Sequence, residues 1–435
     1  MGRTTRGGNR DHTPNVRPVK RVELSEKNTK QRFMAVIVLL IIASCAFVYA
    51  LNGLMSNDSG WTNIEAGSSA EINCGDDFIF QYYIGAAGVN ATAEKKALTL
   101  LYTESVVKAY QMFCNDKSFE GITNIYDINE HPNEELTVDA ALYAALEQIA
   151  SSGRRELYLA PVYTEYDNLF FCNDDVETVS FDGYQNGEVA SYFFEAASYA
   201  NDPDMVNVEL LGNNKVKLFV SDEYLAFAKE NYISDYIDFS WMKNAFIVDY
   251  LADTMISNGY TFGSITSYNG FTRNLDDGSV ADEQSGNRDR EYSFNLYDRQ
   301  KNIIYPAGVL NYTGSMSIVS MHNYPMSDKE KYDYYEFKNG EIRTRYVDVT
   351  DGLCKSAVNN MVCYSKEKSC AQILLEIIPL YVNDTLQKDA VASLSSDGIQ
   401  SIYGMDGVLY YTDSAAEITD LYEKENVKYT TELIK

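Results

Sequence analysis

The chain has 435 residues, enough for a large buried core and two or three domains, with 36 Lys and Arg, 63 Asp and Glu and 3 His. A net charge of −27 repels polyanions, which excludes nucleic acid as a partner. So few histidines leave little material for His-based metal sites or Ser-His-Asp triads, and no P-loop, Gly-x-Ser-x-Gly or Gly-x-Gly-x-x-Gly occurs.

Charge is uneven along the chain. Residues 1–32 form a polar tail with nine basic and three acidic residues, and residues 33–51 carry none, so the remainder holds 27 basic and 60 acidic. The apolar run Phe33 to Leu51 has the length of a membrane-spanning helix. The basic tail before it predicts a cytoplasmic N-terminus and a main domain outside the cell membrane. Ile42-Ala43-Ser44-Cys45 also fits a lipoprotein cleavage box, but the apolar run continues past Cys45, so a spanning anchor is the reading taken. Six cysteines follow: Cys74, Cys114, Cys172, Cys354, Cys363 and Cys370. On an exported side they suggest disulfides, with Cys354 bonded to Cys363 or Cys370 in a local loop; buried thiols are the competing reading.

Residues 52–76 are rich in Gly, Ser and Asn and read as a tether. A strand is expected at Asp77 to Ile84, a helix at Ala91 to Phe113 and a second helix at Val138 to Ile149. Val206 to Val220 reads as two strands joined at Gly212-Asn213-Asn214, followed by a helix at Glu223 to Asn231. Asp238 to Tyr260 is the centre of the pattern, an amphipathic helix stopped by Gly259. The strand-like Ser264 to Tyr268 and the turn pair Asn269-Gly270 come next, then a polar, acidic loop over 274–293. Strand character resumes at Tyr292 to Tyr297, Ile303 to Leu310, Ser317 to Tyr324 and Ala357 to Val362. A helix starts at Ser369, a hairpin spans 398–411, and 413–435 reads as a C-terminal tail.

The order helix, Gly stop, strand and Gly turn resembles the centre of the FAD:protein FMN transferase (ApbE) family, which carries Asp-Leu-Gly-x-x-Ala-Lys-Gly-Tyr-x-x-Asp before a strand ending in Gly-Gly. Asp238 and Asp249 keep that spacing, and Phe246 stands at the Tyr; Asn244-Ala245 replace Lys-Gly, and Asn269-Gly270 replace Gly-Gly. Ser317 to Tyr324 is similar to the family's Ala-Val-Ala-Thr-Ser-Gly-Asp-Tyr, with Ser320 on the Thr and Tyr324 on the Tyr. Arg345 to Gly352 resembles His-Ile-Ile-Asp-Pro-x-Thr-Gly, with Asp348 and Gly352 kept and Arg345 in place of His. The resemblance spans residues 77–412.

It implies an α+β, ApbE-like fold of mixed and antiparallel sheets with packed helices, behind one N-terminal transmembrane helix. It also implies FAD and Mg²⁺ as cofactors, an exported protein as partner, and Asp238, Asn244, Phe246, Asn269, Gly270, Ser320, Tyr324 and Asp348 at the flavin site. The family's metal-binding Asp and Thr fall on Ala371 and Leu375, neither of which binds a hard cation. Glu376, one residue past Leu375, is the remaining metal candidate. Asp249 and Asp253 read as solvated helix residues, and Asp348 as either a flavin contact or a turn residue bonding its own backbone. These losses favour a degenerate transferase homologue acting as a flavin-binding or protein-interaction module. The alternative is an active, Mg²⁺-dependent transferase that flavinylates an exported protein on Thr or Ser.

Overall fold

In the computed structural model the described residues are 59–67, 74–86, 89–172, 178–276, 291–424 and 426–434. The basic tail, the apolar run 33–51 with Cys45, and most of the acidic loop lie outside them. Among the described residues no helix is long and apolar enough to cross a membrane.

The organising element is a nine-stranded sheet whose strands lie side by side in chain order: β1 Gly60–Ile64, β2 Phe78–Ile84, β3 Gly263–Ser267, β4 Phe271–Asn274, β5 Met316–His322, β6 Asn360–Ser365, β7 Gln400–Met405, β8 Val408–Tyr411 and β9 Thr430–Leu433. Neighbours are antiparallel except β8 and β9, which run parallel. Antiparallel order puts the ends of β3 and β5 beside the starts of β2, β4 and β6, along one edge of the sheet.

Every residue of β5 and β6 is buried, because both faces of the sheet are covered there. Side chains alternate between the two faces. Val319, Met321, Met361 and Cys363 join the larger core beneath the helices, whereas Met316, Ile318, Val362 and Tyr364 join a smaller one. The smaller core is closed by a second sheet, the hairpin Glu291–Gln300 and Ile303–Thr313 with the strand Glu417–Thr419.

Several expectations hold closely. The long helix is Ala91–Phe113, and the central helix is Lys243–Ser257, stopped at Gly259 with φ +84°. The helix expected at Val138 is Ala140–Ser152, and the paired strands are Val206–Gly212 and Lys215–Val220. Others need correction. Glu417–Thr419 pairs with the second sheet and β9 completes the main one, so residues 413–434 belong to the fold and are no tail. The region read as a tether supplies β1. The helices Ala160–Phe170 and Gly187–Asn201 have no counterpart in the sequence reading; Tyr163, Tyr166, Phe193 and small alanines form their buried faces, with few aliphatics to mark them.

The described cysteines form no local disulfide of the kind expected. The Cys363 thiol faces the Ser401 hydroxyl at 3.3 Å, Cys370 donates to the Thr272 carbonyl at 3.3 Å, and Cys354 is buried with a free thiol.

Candidate functional site

The residues singled out by sequence gather, in part, along the edge where β3 and β5 end. Gly270 occupies the β3–β4 turn at φ +101°, a backbone region open to glycine, and its carbonyl accepts the Ser320 amide at 2.8 Å. A Cβ at position 270 would stand 2.1 Å from the Ser320 carbonyl oxygen, so the close approach of the turn to β5 requires glycine. Asn244, near the start of the central helix, donates through Nδ2 to Asn269 Oδ1 at 3.2 Å. Tyr324 is buried just past β5, and its hydroxyl accepts from Asn360 Nδ2 at 3.2 Å. Phe246 is buried edge-on against Phe239, ring centroids 5.1 Å apart.

Asp348 is occupied elsewhere. Its Oδ1 accepts from the Thr350 amide at 2.8 Å and hydroxyl at 2.7 Å, and its Oδ2 pairs with Lys355 Nζ at 2.7 Å. Burial pushes its carboxyl up, but Lys355 and Thr350 prevail and hold it below the ordinary range. Of the two sequence readings, this is the arrangement of the turn residue. Asp238 Oδ1 likewise caps the Ser240 amide at 2.8 Å, and burial raises its carboxyl.

Asp249 is a correction. It is 8 % exposed, not solvated. Oδ1 accepts the Cys370 amide at 3.0 Å and Oδ2 the Ala371 amide at 2.8 Å, while Arg273 Nη1 pairs with Oδ1 at 2.9 Å. Asp253 fits the solvated reading, with a largely exposed side chain that still meets Arg273 Nη2 at 3.3 Å. The helix Cys370–Tyr381 therefore starts with its donors taken. Asp249 holds the first two amides, and Ser369 with Gln372 closes a capping box over the third. No free amide in this first turn is left for a phosphate.

Sequence reasoning missed what surrounds Arg345. Its Nη2 pairs with Asp167 Oδ1 at 2.9 Å, its Nε faces Asp333 Oδ1 at 3.1 Å, and Nη2 also donates to the Tyr332 carbonyl at 3.1 Å. The exchange of His for Arg was visible in the sequence; Asp167, on a helix 178 residues earlier, was not. Burial raises the carboxyls of Asp167 and Asp333, with Arg345 opposing. Asp235 is pushed up to about 6 by burial and then by Asp238, Asp116 and Glu130.

The sign of this last shift gives a test. A carboxyl whose folded pKa lies above its unfolded one binds more protons when folded, so stability rises as pH falls. For Asp235 the window runs from about 6 down to the ordinary 3.8. The melting temperature is expected to rise between pH 7 and pH 4.5, with a shallower rise in Asp235→Asn. Identical slopes in the two proteins would refute the assignment.

Of the two implied cofactors, magnesium is not matched by the residues at its implied positions. Magnesium takes hard oxygen ligands in near-octahedral geometry. Ala371 and Leu375 are buried hydrocarbon at the aligned positions, and Glu376 is exposed on the same helix. Among the described residues no three His, Cys, Asp or Glu side chains gather to hold a metal ion. The cavity shared by Trp241, Asn269, Asp333 and Arg345 is about 20 Å³, room for a single water where small-molecule sites need several hundred. A separate hollow of about 490 Å³, lined by Phe78, Phe80, Tyr102, Tyr268 and Lys329, has the volume of a small-molecule site, with no metal cluster among the described residues.

No family model and no curated protein sequence matches this chain. Solved structures do. An ApbE protein from Thermotoga maritima MSB8 superposes with a TM-score of 0.53 at 12 % identity, over 83 % of this chain and 97 % of the other. The flavin transferase ApbE from Vibrio cholerae gives 0.51 at 13 % identity, over 83 % of this chain and 98 % of the other. The chain has the ApbE flavin transferase fold, in a divergent form, as the spacing of Asp238 and Asp249 implied.

Proposed function

We propose that this chain is a non-catalytic protein on the flavin transferase fold. Residues 33–51 anchor it in the cell membrane, and the folded part lies outside, serving as an interaction module that binds flavin or an exported protein without cleaving FAD. One observation carries the reading: where an Asp and a Thr would coordinate magnesium stand buried Ala371 and Leu375, on a helix whose first amides Asp249 and Ser369 already hold. Fold alone does not confer activity, and the site decides. Arg345, fixed by two carboxylates where the family has His, supports the same conclusion.

The test is restoration. The wild-type protein is expected to release no AMP from FAD in Mg²⁺, and its melting temperature to be unmoved by Mg²⁺. The double variant Ala371→Asp, Leu375→Thr is expected to acquire a Mg²⁺-dependent rise in melting temperature, the mark of a decayed metal site. AMP release by the wild type would end the non-catalytic reading.

A further inference from the structure

The edge of the main sheet opposite the candidate site is where the chain enters the fold from the apolar run. Gly60, at the start of β1, pairs with Ile84 at the end of β2. Ser59 before it packs against Gly85, where a Cβ would come within 3.0 Å of Ser59 Cα and 3.1 Å of Ala91 Cβ. Trp61 follows and is 49 % exposed. Its ring stacks on Phe262 with centroids 6.1 Å apart and meets Tyr83 at 5.7 Å and Tyr292 at 6.4 Å edge-on. Tyr292 stacks in turn on Tyr312 at 5.6 Å. Val89, in the turn between β2 and the helix Ala91–Phe113, is 48 % exposed. This edge therefore carries a rim of Trp and Tyr with an exposed aliphatic beside it. Aromatics with a polar tip are the side chains that gather where a bilayer meets water.

We propose that this rim rests on the outer leaflet of the bilayer, in the head-group layer of zwitterionic phospholipid. The inference rests on the reading of residues 33–51 as a membrane anchor. Eight residue steps lead from Leu51 to Ser59, a reach of about 30 Å at full extension. A folded unit of the size of residues 59–434 is about 50 Å across. So short a lead keeps the far edge, with Gly270 and Arg345, away from the lipid and holds the entry edge against it. The rim's exposed charges are of both signs, Lys95 and Lys96 in the first turns of the helix and Glu291 beside Tyr292. Lys95 also donates to Thr62 Oγ1 at 3.1 Å, which ties the helix to β1. A mixed rim suits a neutral head group, and the net charge of −27 disfavours an anionic one.

The full-length protein reconstituted into phosphatidylcholine vesicles tests this through its own fluorescence, because its two tryptophans are Trp61 and Trp241. Trp241 is buried at the far edge, beside Asn269 and Arg345. Phosphatidylcholine brominated near the head group is expected to quench about half of the emission, the share of one tryptophan in two. Lipid brominated near the bilayer centre should quench far less. Trp61→Phe should abolish the quenching and Val89→Asp reduce it about twofold or more. Both variants should still float with the vesicles, carried by the anchor. Flotation without quenching would overturn the proposal and leave the anchor standing, whereas failure to float would overturn both. Trp61 emission that is shifted to the blue, out of reach of bromine and lost on dilution in lipid would overturn it in favour of a second copy of the chain.

Discussion

Asp249→Ala is expected to cost about 3–5 kcal/mol of folding stability, the range for removing one partner of a buried, hydrogen-bonded ion pair. The loss has two parts. Arg273, whose side chain is only 15 % exposed, would keep Asp253 alone as a carboxylate partner. Burial lowers the Arg273 guanidinium pKa, and Asp249 first, then Asp253, turn the net shift upward. In addition, two amides at the start of the helix Cys370–Tyr381 would lose their acceptor inside the core. Asp249→Asn keeps one oxygen for an amide and should fall between wild type and Asp249→Ala. Chemical denaturation reads this directly; a loss under about 1 kcal/mol for the alanine variant would show that Asp249 is not the clamp described.

Asp182→Ala is expected to be as damaging, again about 3–5 kcal/mol. Asp182 is fully buried and meets Arg343 through two parallel bonds, Nε to Oδ1 at 2.9 Å and Nη2 to Oδ2 at 3.0 Å. The same carboxylate accepts the Tyr184 amide at 3.2 Å and Gln185 Nε2 at 2.8 Å, so it also shapes its own turn. Arg343 further pairs with Glu341 at 2.9 Å and lies over the Tyr184 ring at 4.5 Å. Without Asp182 the guanidinium stays buried with only Glu341, itself largely exposed, to balance it. The double variant Asp182→Ala, Arg343→Met removes the orphaned charge and should recover part of the loss. A double variant worse than the sum of the singles would argue against an orphaned charge as the cause.

What the sequence disclosed, and what it hid, follows from the reach of each interaction. Local patterns were legible. The 3.6-residue repeat placed the long and central helices, Gly259 stopped the latter, and Asn269-Gly270 made the turn that lets β3 and β4 reach β5. Asp249 misled because a lone polar residue in a helical pattern reads as outward-facing. Its partners are Arg273, 24 residues on, and amides 121 and 122 residues on, which no periodicity connects. Arg345 and Asp167 were hidden for the same reason. The helices between Gly153 and Val206 bury mostly aromatic rings and alanine, with Val162 and Leu169 as the aliphatics, so their apolar stripe was faint. Gln372, beside Ala371 at the implied metal position, proved to be the capping-box partner of Ser369.

The central question is whether the flavin transferase fold of this chain handles FAD as a transferase substrate. The deciding measurement is FAD binding to the full-length protein by fluorescence quenching, with and without Mg²⁺. The predicted result is a binding curve, strong or absent, that Mg²⁺ leaves unchanged, because Ala371 and Leu375 offer the ion no oxygen. Tight binding that appears only with Mg²⁺ would contradict it and restore the enzyme.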